Sequence, residues 1–262
     1  MPERLGVTKT YKLFINGAFP RTESGRTTPI TDGSSELAHV CNASRKDLRN
    51  AVEAARKAQP AWAGATAYLR GQIVYRLAEM LEGKRTELAR AIGPDGPLGG
   101  QAEVDATIDR LVAWAGWPDK LAHVLGHANP VAGPYHCQTL PEPTGVVCVL
   151  APESCPLLAL VSLTLPAVAC GNTSIVLAST GNPVPAMILA EAIATSDLPK
   201  GVINILTSER QDMLPHIASH RDIDAIHASG LGSEDAAMLE AGAAENMKRV
   251  TIRRIDASGW GD

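Results

Sequence analysis

From Glu142 onward, short apolar runs alternate with longer helical stretches. Val146 to Leu150 is an apolar, β-rich run bounded by Gly145 and Pro152, the pattern of a strand covered on both faces. Pro156 to Ala169 is apolar all round and ends at Cys170-Gly171-Asn172, which predicts a buried helix closed by a glycine. Thr173 to Leu177 is a second β-branched run, so the three segments form a βαβ unit. The rhythm continues with a helix over 183–194, a strand over 202–206, a helix over 212–219, a strand over 225–228, a helix over 234–244 and a strand over 249–252. The prediction is an α/β fold: an open, Rossmann-type parallel sheet of five strands with four crossovers.

The first 141 residues follow other periods. Tyr11 to Pro20 alternates around Asn16-Gly17, which predicts a β-hairpin with a type I′ turn. Ser44 and Asp47 form a capping pair for a helix whose inner face is Leu48, Ala51, Val52 and Ala55, with Pro60 as its expected end. A second amphipathic helix is expected over 68–92, a Gly/Pro-rich loop over 93–100, and a third helix over 102–122 that Gly116-Trp117-Pro118 should kink or end. Val124 to Thr139 alternates without length, as a projecting ribbon would. The expected divisions are an N-terminal hairpin and helical part (1–123), a ribbon (124–141), a βα core (142–256) and a tail (257–262).

The 262 residues are 45% hydrophobic and 20% charged, enough to bury a substantial core. A net charge of −4 gives no footprint for nucleic acid or an anionic membrane. The longest apolar run, Cys155 to Cys170, is shorter than the ~20 residues a bilayer crossing needs, and no apolar leader follows Met1, so the expected location is the cytoplasm. Five cysteines without CxxC spacing argue for reduced, mostly buried thiols. His123/His127 and His216/His220 have a spacing that can clasp zinc, but neither is an HExxH motif, and no metal is expected.

Several segments together resemble the N-terminal, cofactor-binding half of the aldehyde dehydrogenases: LFINGAF, DLRNAVEAARKAQPAW, RGQIVYRLAEML, EPTGVVCVLAPESCP, ACGNTSIVLAS, LPKGVINILT, ASHRDIDAIHASG and ENMKRVTI. The chain looks most like the truncated second domain of the family-sixteen enzymes. The resemblance implies that the ribbon is an oligomerisation element, and that the catalytic domain with its nucleophilic cysteine falls outside these residues.

The same resemblance marks positions where the chain departs from the family. Ser154 stands where the family has its oxyanion-donating Asn, and Arg253 where it has the carboxylate base. Arg is no base at neutral pH. The ribose-anchoring Lys and Glu correspond to Leu177 and Thr180, on either side of a retained Ser179. At the pyrophosphate-facing helix Gly230 is kept, while Leu231 replaces a hydroxyl. NAD or NADP therefore has few anchors, and no cofactor is expected to bind tightly. Cys155 reads either as a replacement nucleophile or as a buried cysteine filling an aromatic's place. The expected role is a catalytically degenerate structural or regulatory subunit that joins a full-length aldehyde dehydrogenase or its own copies. The alternatives are a component of an active enzyme whose cysteine comes from elsewhere, and a small-ligand sensor.

Overall fold

The computed structural model describes residues 7–32 and 35–261. The predicted core is present: β6 (Val146–Leu150), α6 (Leu158–Ala169), β7 (Thr173–Leu177), α7 (Val184–Thr195), β8 (Ile203–Leu206), α8 (Arg210–Ser219), β9 (Ala225–Ser229), α9 (Ser233–Asn246) and β10 (Arg249–Arg253). The five strands are parallel, in the order β10-β9-β6-β7-β8. The chain thus starts in the middle, builds to one edge, and crosses back to build the other.

Both faces of the sheet are covered, and the strand residues divide by parity. Val147, Val149 and Val176 face the cluster that includes Leu77, Leu111, Leu160 and Ile188. Val146, Cys148, Leu150, Ile175 and Leu177 face the other layer, with Leu48, Val52, Leu214 and Ile217. Double coverage explains why β6 and β7 read as unbroken apolar runs: every residue in them is buried.

Upstream, the hairpin turn forms with both Asn16 (φ 54°) and Gly17 (φ 71°) in the left-handed region. Phe14 extends it by bridging to Ile205 at the sheet edge. Three strands went unpredicted: β1 (Lys9–Tyr11), β2 (Thr27–Asp32) and β3 (Ser35–Cys41), in the order β1-β3-β2. The capping box at Ser44 and Asp47 starts α1 (Arg45–Gly64), which runs through Pro60 instead of ending there. Trp62, beyond the proline, is buried and donates from Nε1 to the Val168 carbonyl at 2.8 Å, so tertiary contact holds the last turn in helix.

The expected 68–92 helix is two, α2 (Ala67–Glu82) and α3 (Arg85–Ile92), parted at Gly83-Lys84. The third helix, α4 (Gly100–Ala115), stops before Gly116-Trp117-Pro118, and a short α5 (Leu121–Leu125) follows. The ribbon consists of β4 (His127–Ala128) and β5 (Gln138–Thr139), antiparallel and exposed; Val124 belongs to α5. Residues 257–260, read as tail, form a 3₁₀ turn that buries Trp260, whose carbonyl accepts from Arg110 Nη2 at 3.0 Å. Among the described residues no helix is long and apolar enough to cross a membrane.

Candidate functional site: the crevice at the carboxyl ends of the sheet

In an open parallel sheet, ligands are received outside the carboxyl ends of the strands, where the strand order reverses. Here that point lies between β6 and β9, the strand pair from which the chain builds outward in both directions. Ala151 follows β6 and Gly230 follows β9.

Arg210, the first residue of α8, crosses this point. Its Nη2 donates to the Ala151 carbonyl at 2.7 Å and to Glu153 Oε1 at 2.9 Å, and its Nη1 reaches the Gly230 carbonyl at 3.4 Å. The Glu153 carboxylate also accepts from the backbone N–H of Thr180 at 3.1 Å and of Gly181 at 2.8 Å. One ion pair therefore ties together the segments that follow β6, β7, β8 and β9. The Arg210 side chain is 14% exposed and that of Glu153 49%, so the pair adds little stability by charge alone. Its consequence is positional: the Glu153 carboxylate engages the backbone N–H groups of Thr180 and Gly181, and Arg210 the carbonyls of Ala151 and Gly230, at the carboxyl ends of the strands.

Gly230 has a packing reason to be glycine. Its φ is +66°, and a Cβ there would lie 2.9 Å from Pro152 Cβ. Leu177 is buried at the end of β7. The Ser179 hydroxyl donates to the Asn182 carbonyl at 2.9 Å, closing the turn into α7. Thr180 meets Glu153 through its backbone, and Leu231 packs partly buried against the α1/α8 side of the core.

Ser154 and Cys155 follow Glu153. Ser154 is half-buried. Cys155 is fully enclosed with φ +50°, and burial first, then the neighbouring Glu103 carboxylate, pushes its thiol up to about 11. A thiol so shifted supplies almost no thiolate at neutral pH. Glu103, on α4, is itself buried; its Oε1 accepts from the backbone N–H of Leu157 at 2.9 Å and of Leu158 at 3.1 Å, capping the start of α6. Burial raises its pKa, and these two hydrogen bonds oppose the rise.

Arg253 ends the edge strand β10. Its Nε donates to His227 Nε2 at 3.4 Å, while Ser229 Oγ donates to its carbonyl at 3.0 Å. His227 Nδ1 lies 2.9 Å from the Leu163 carbonyl, which fixes the proton on Nδ1 and leaves Nε2 as the acceptor. Burial, mainly, lowers the His227 pKa, consistent with a neutral ring beside the guanidinium.

Residues 21–253 match the aldehyde dehydrogenase family. The chain belongs to that family. It is 32% identical over 249 residues to a mitochondrial benzaldehyde dehydrogenase of Antirrhinum majus, covering 92% of this chain and 46% of the relative. It is 34% identical over 250 residues to cytosolic aldehyde dehydrogenase 1 of Elephantulus edwardii, covering 92% and 49%. Among solved structures, the NAD+ complex of the Bacillus cereus aldehyde dehydrogenase superposes with a TM-score of 0.86 at 29% identity, over 94% of this chain and 51% of that one. The chain thus spans about half the length of the relatives it matches.

Within this aldehyde dehydrogenase fold, the structure gathers Thr180 and Gly230 around the crevice and places Arg253 beside His227 and Ser229. Glu153 and Arg210, the residues that define the site, were not singled out by sequence reasoning. The available signal was two opposite charges at the carboxyl ends of β6 and β8, at positions the sheet topology makes neighbours. Among the described residues no group of three or more metal-ligating side chains occurs, and the five cysteines are thiols, with Cys137 exposed.

Proposed function

We propose that this chain is a catalytically degenerate aldehyde dehydrogenase half-domain, akin to the second domain of family-sixteen enzymes, that serves as a structural or regulatory subunit of an aldehyde dehydrogenase assembly. The observation that carries this reading is the Glu153–Arg210 pair lying across the switch point of the sheet. An intact dinucleotide site keeps this crevice open and lines it with donors. Here two strand-end carbonyls and two backbone N–H groups bond to the chain's own charges. Ser154, Leu177, Thr180, Leu231 and Arg253 depart from the family's functional residues in the same region.

The ribbon supports the assembly role. Among the described residues β4 and β5 pair only with each other, two residues each, and their side chains are exposed. An isolated two-stranded ribbon is marginal in water and leaves open edges, which a partner's strand would complete. The partner of this reading is a full-length aldehyde dehydrogenase subunit.

The test is to purify the chain with and without a full-length relative. Alone, it forms no NADH or NADPH from aldehydes; mixed, the two co-elute. Turnover by the isolated chain that survives removal of contaminating enzyme contradicts the reading.

A further inference from the structure

On the side of the molecule where α1 begins and α8 ends, a cavity of about 660 Å³ opens. Its size is within the range of small-molecule sites. Its walls depart from the chain's overall acidity: Arg45, Lys46, Arg49 and Arg221 line it against only two carboxylates, Glu23 and Asp222.

Among the described residues, the pairing of these charges leaves two guanidiniums without a salt bridge. Lys46 is engaged by Glu23, and Arg49 by Glu53 one turn along α1. Arg45 starts α1 and Arg221 follows the end of α8; both line the cavity and both residues are exposed. The Asp47 carboxylate, the acid in the first turn of α1, is engaged by the Thr22 hydroxyl and by the Ser44 backbone and hydroxyl.

Two helix ends meet at this cavity, and their fields do not cancel. The amino end of the 20-residue α1 contributes positive potential. The carboxyl end of α8 would contribute negative potential, but the carbonyls of Ile217, Ala218 and His220 all accept from the buried Lys248 Nζ, at 2.9, 2.8 and 2.9 Å. His216 and His220 complete that wall with rings that can donate. The result is a concave site whose lining carries more cations than carboxylates, with the α8 carbonyls engaged by Lys248 and the Asp47 carboxylate turned to Thr22 and Ser44 at the α1 terminus.

We infer that this cavity binds a small polyanion through a phosphoryl or pyrophosphoryl group held between Arg45 and Arg221. The site is separate from the crevice at the sheet's carboxyl ends and does not depend on the function proposed above.

Inorganic pyrophosphate is the probe. Titrated calorimetrically into the whole chain at low salt, it should bind saturably and raise the melting temperature, with affinity falling as salt is added. Arg45→Ser/Arg221→Ser, two exposed positions, should weaken binding by about tenfold or more, as expected for losing charge-assisted contacts. Arg76→Ser, at an exposed position on α2 outside this lining, should leave binding unchanged, which separates the site from general surface charge. Comparing pyrophosphate with a sugar bisphosphate distinguishes free anion from phosphorylated metabolite. No binding of either probe, or binding that survives the double substitution in a folded variant, overturns the inference.

Discussion

Arg210 Nη2 lies 2.7 Å from the carbonyl oxygen of Ala151 and 2.9 Å from Glu153 Oε1, spanning the point where the strand order of the sheet reverses. Through Glu153 the same pair also reaches the backbone N–H groups of Thr180 and Gly181, at 3.1 and 2.8 Å.

Removing the pair should reopen the crevice. In Glu153→Ala/Arg210→Gly the N–H groups of Thr180 and Gly181 lose their carboxylate. NAD+ should then raise the melting temperature where it leaves the unsubstituted chain unchanged. Equal behaviour of the two proteins in a calorimetric titration would show that the pair does not block nucleotide.

Glu103 gives a prediction with a sign in pH. Its folded pKa is raised by burial, so the unfolded chain ionises first as pH increases. Stability should fall as pH rises from the ordinary carboxylate range through the raised folded value, and then level off. Glu103→Gln keeps an acceptor for Leu157 and Leu158 and should flatten that fall. Glu103→Ala orphans both N–H groups and should cost about 1–3 kcal/mol in denaturant unfolding at neutral pH. If both variants follow the unsubstituted pH profile, Glu103 does not carry it.

Lys248 holds the end of α8 through three carbonyls while 7% exposed. Lys248→Met fills similar space but leaves the carbonyls without this donor. A loss of roughly 2–4 kcal/mol is expected, the range for breaking a buried charged network. Amide exchange should quicken first near Ile217–His220. Unchanged stability would place those carbonyls in contact with water instead.

The ribbon should be dispensable for folding and necessary for association. Replacing residues 127–139 by a short Gly/Ser linker should leave the melting temperature within a few degrees, because β4 and β5 bury nothing of their own. It should abolish co-elution with a full-length aldehyde dehydrogenase. Co-elution that persists would move the interface elsewhere.

The sheet was legible because β6 and β7 are buried on both faces, and a doubly covered strand writes its burial as an apolar run. β2 and β3 were missed for the converse reason. Thr27, Thr28, Thr31 and His39 interrupt their apolar positions, and β3 pairs with β1 and β2 in a three-stranded sheet separate from the parallel one. Pro60 misled because local propensity ends a helix there, whereas Trp62 is anchored to Val168. Candidate site positions such as Ser154 and Arg253 could be proposed from the family resemblance, but the Glu153–Arg210 pair could not. Glu153 and Arg210 are 57 residues apart, and only the parallel order of the strands brings them together.

The most direct test of the central claim is the native mass of the assembly isolated gently from its source, with every co-purifying polypeptide identified. The account predicts stoichiometric recovery with a full-length aldehyde dehydrogenase. Recovery of this chain without one would contradict it.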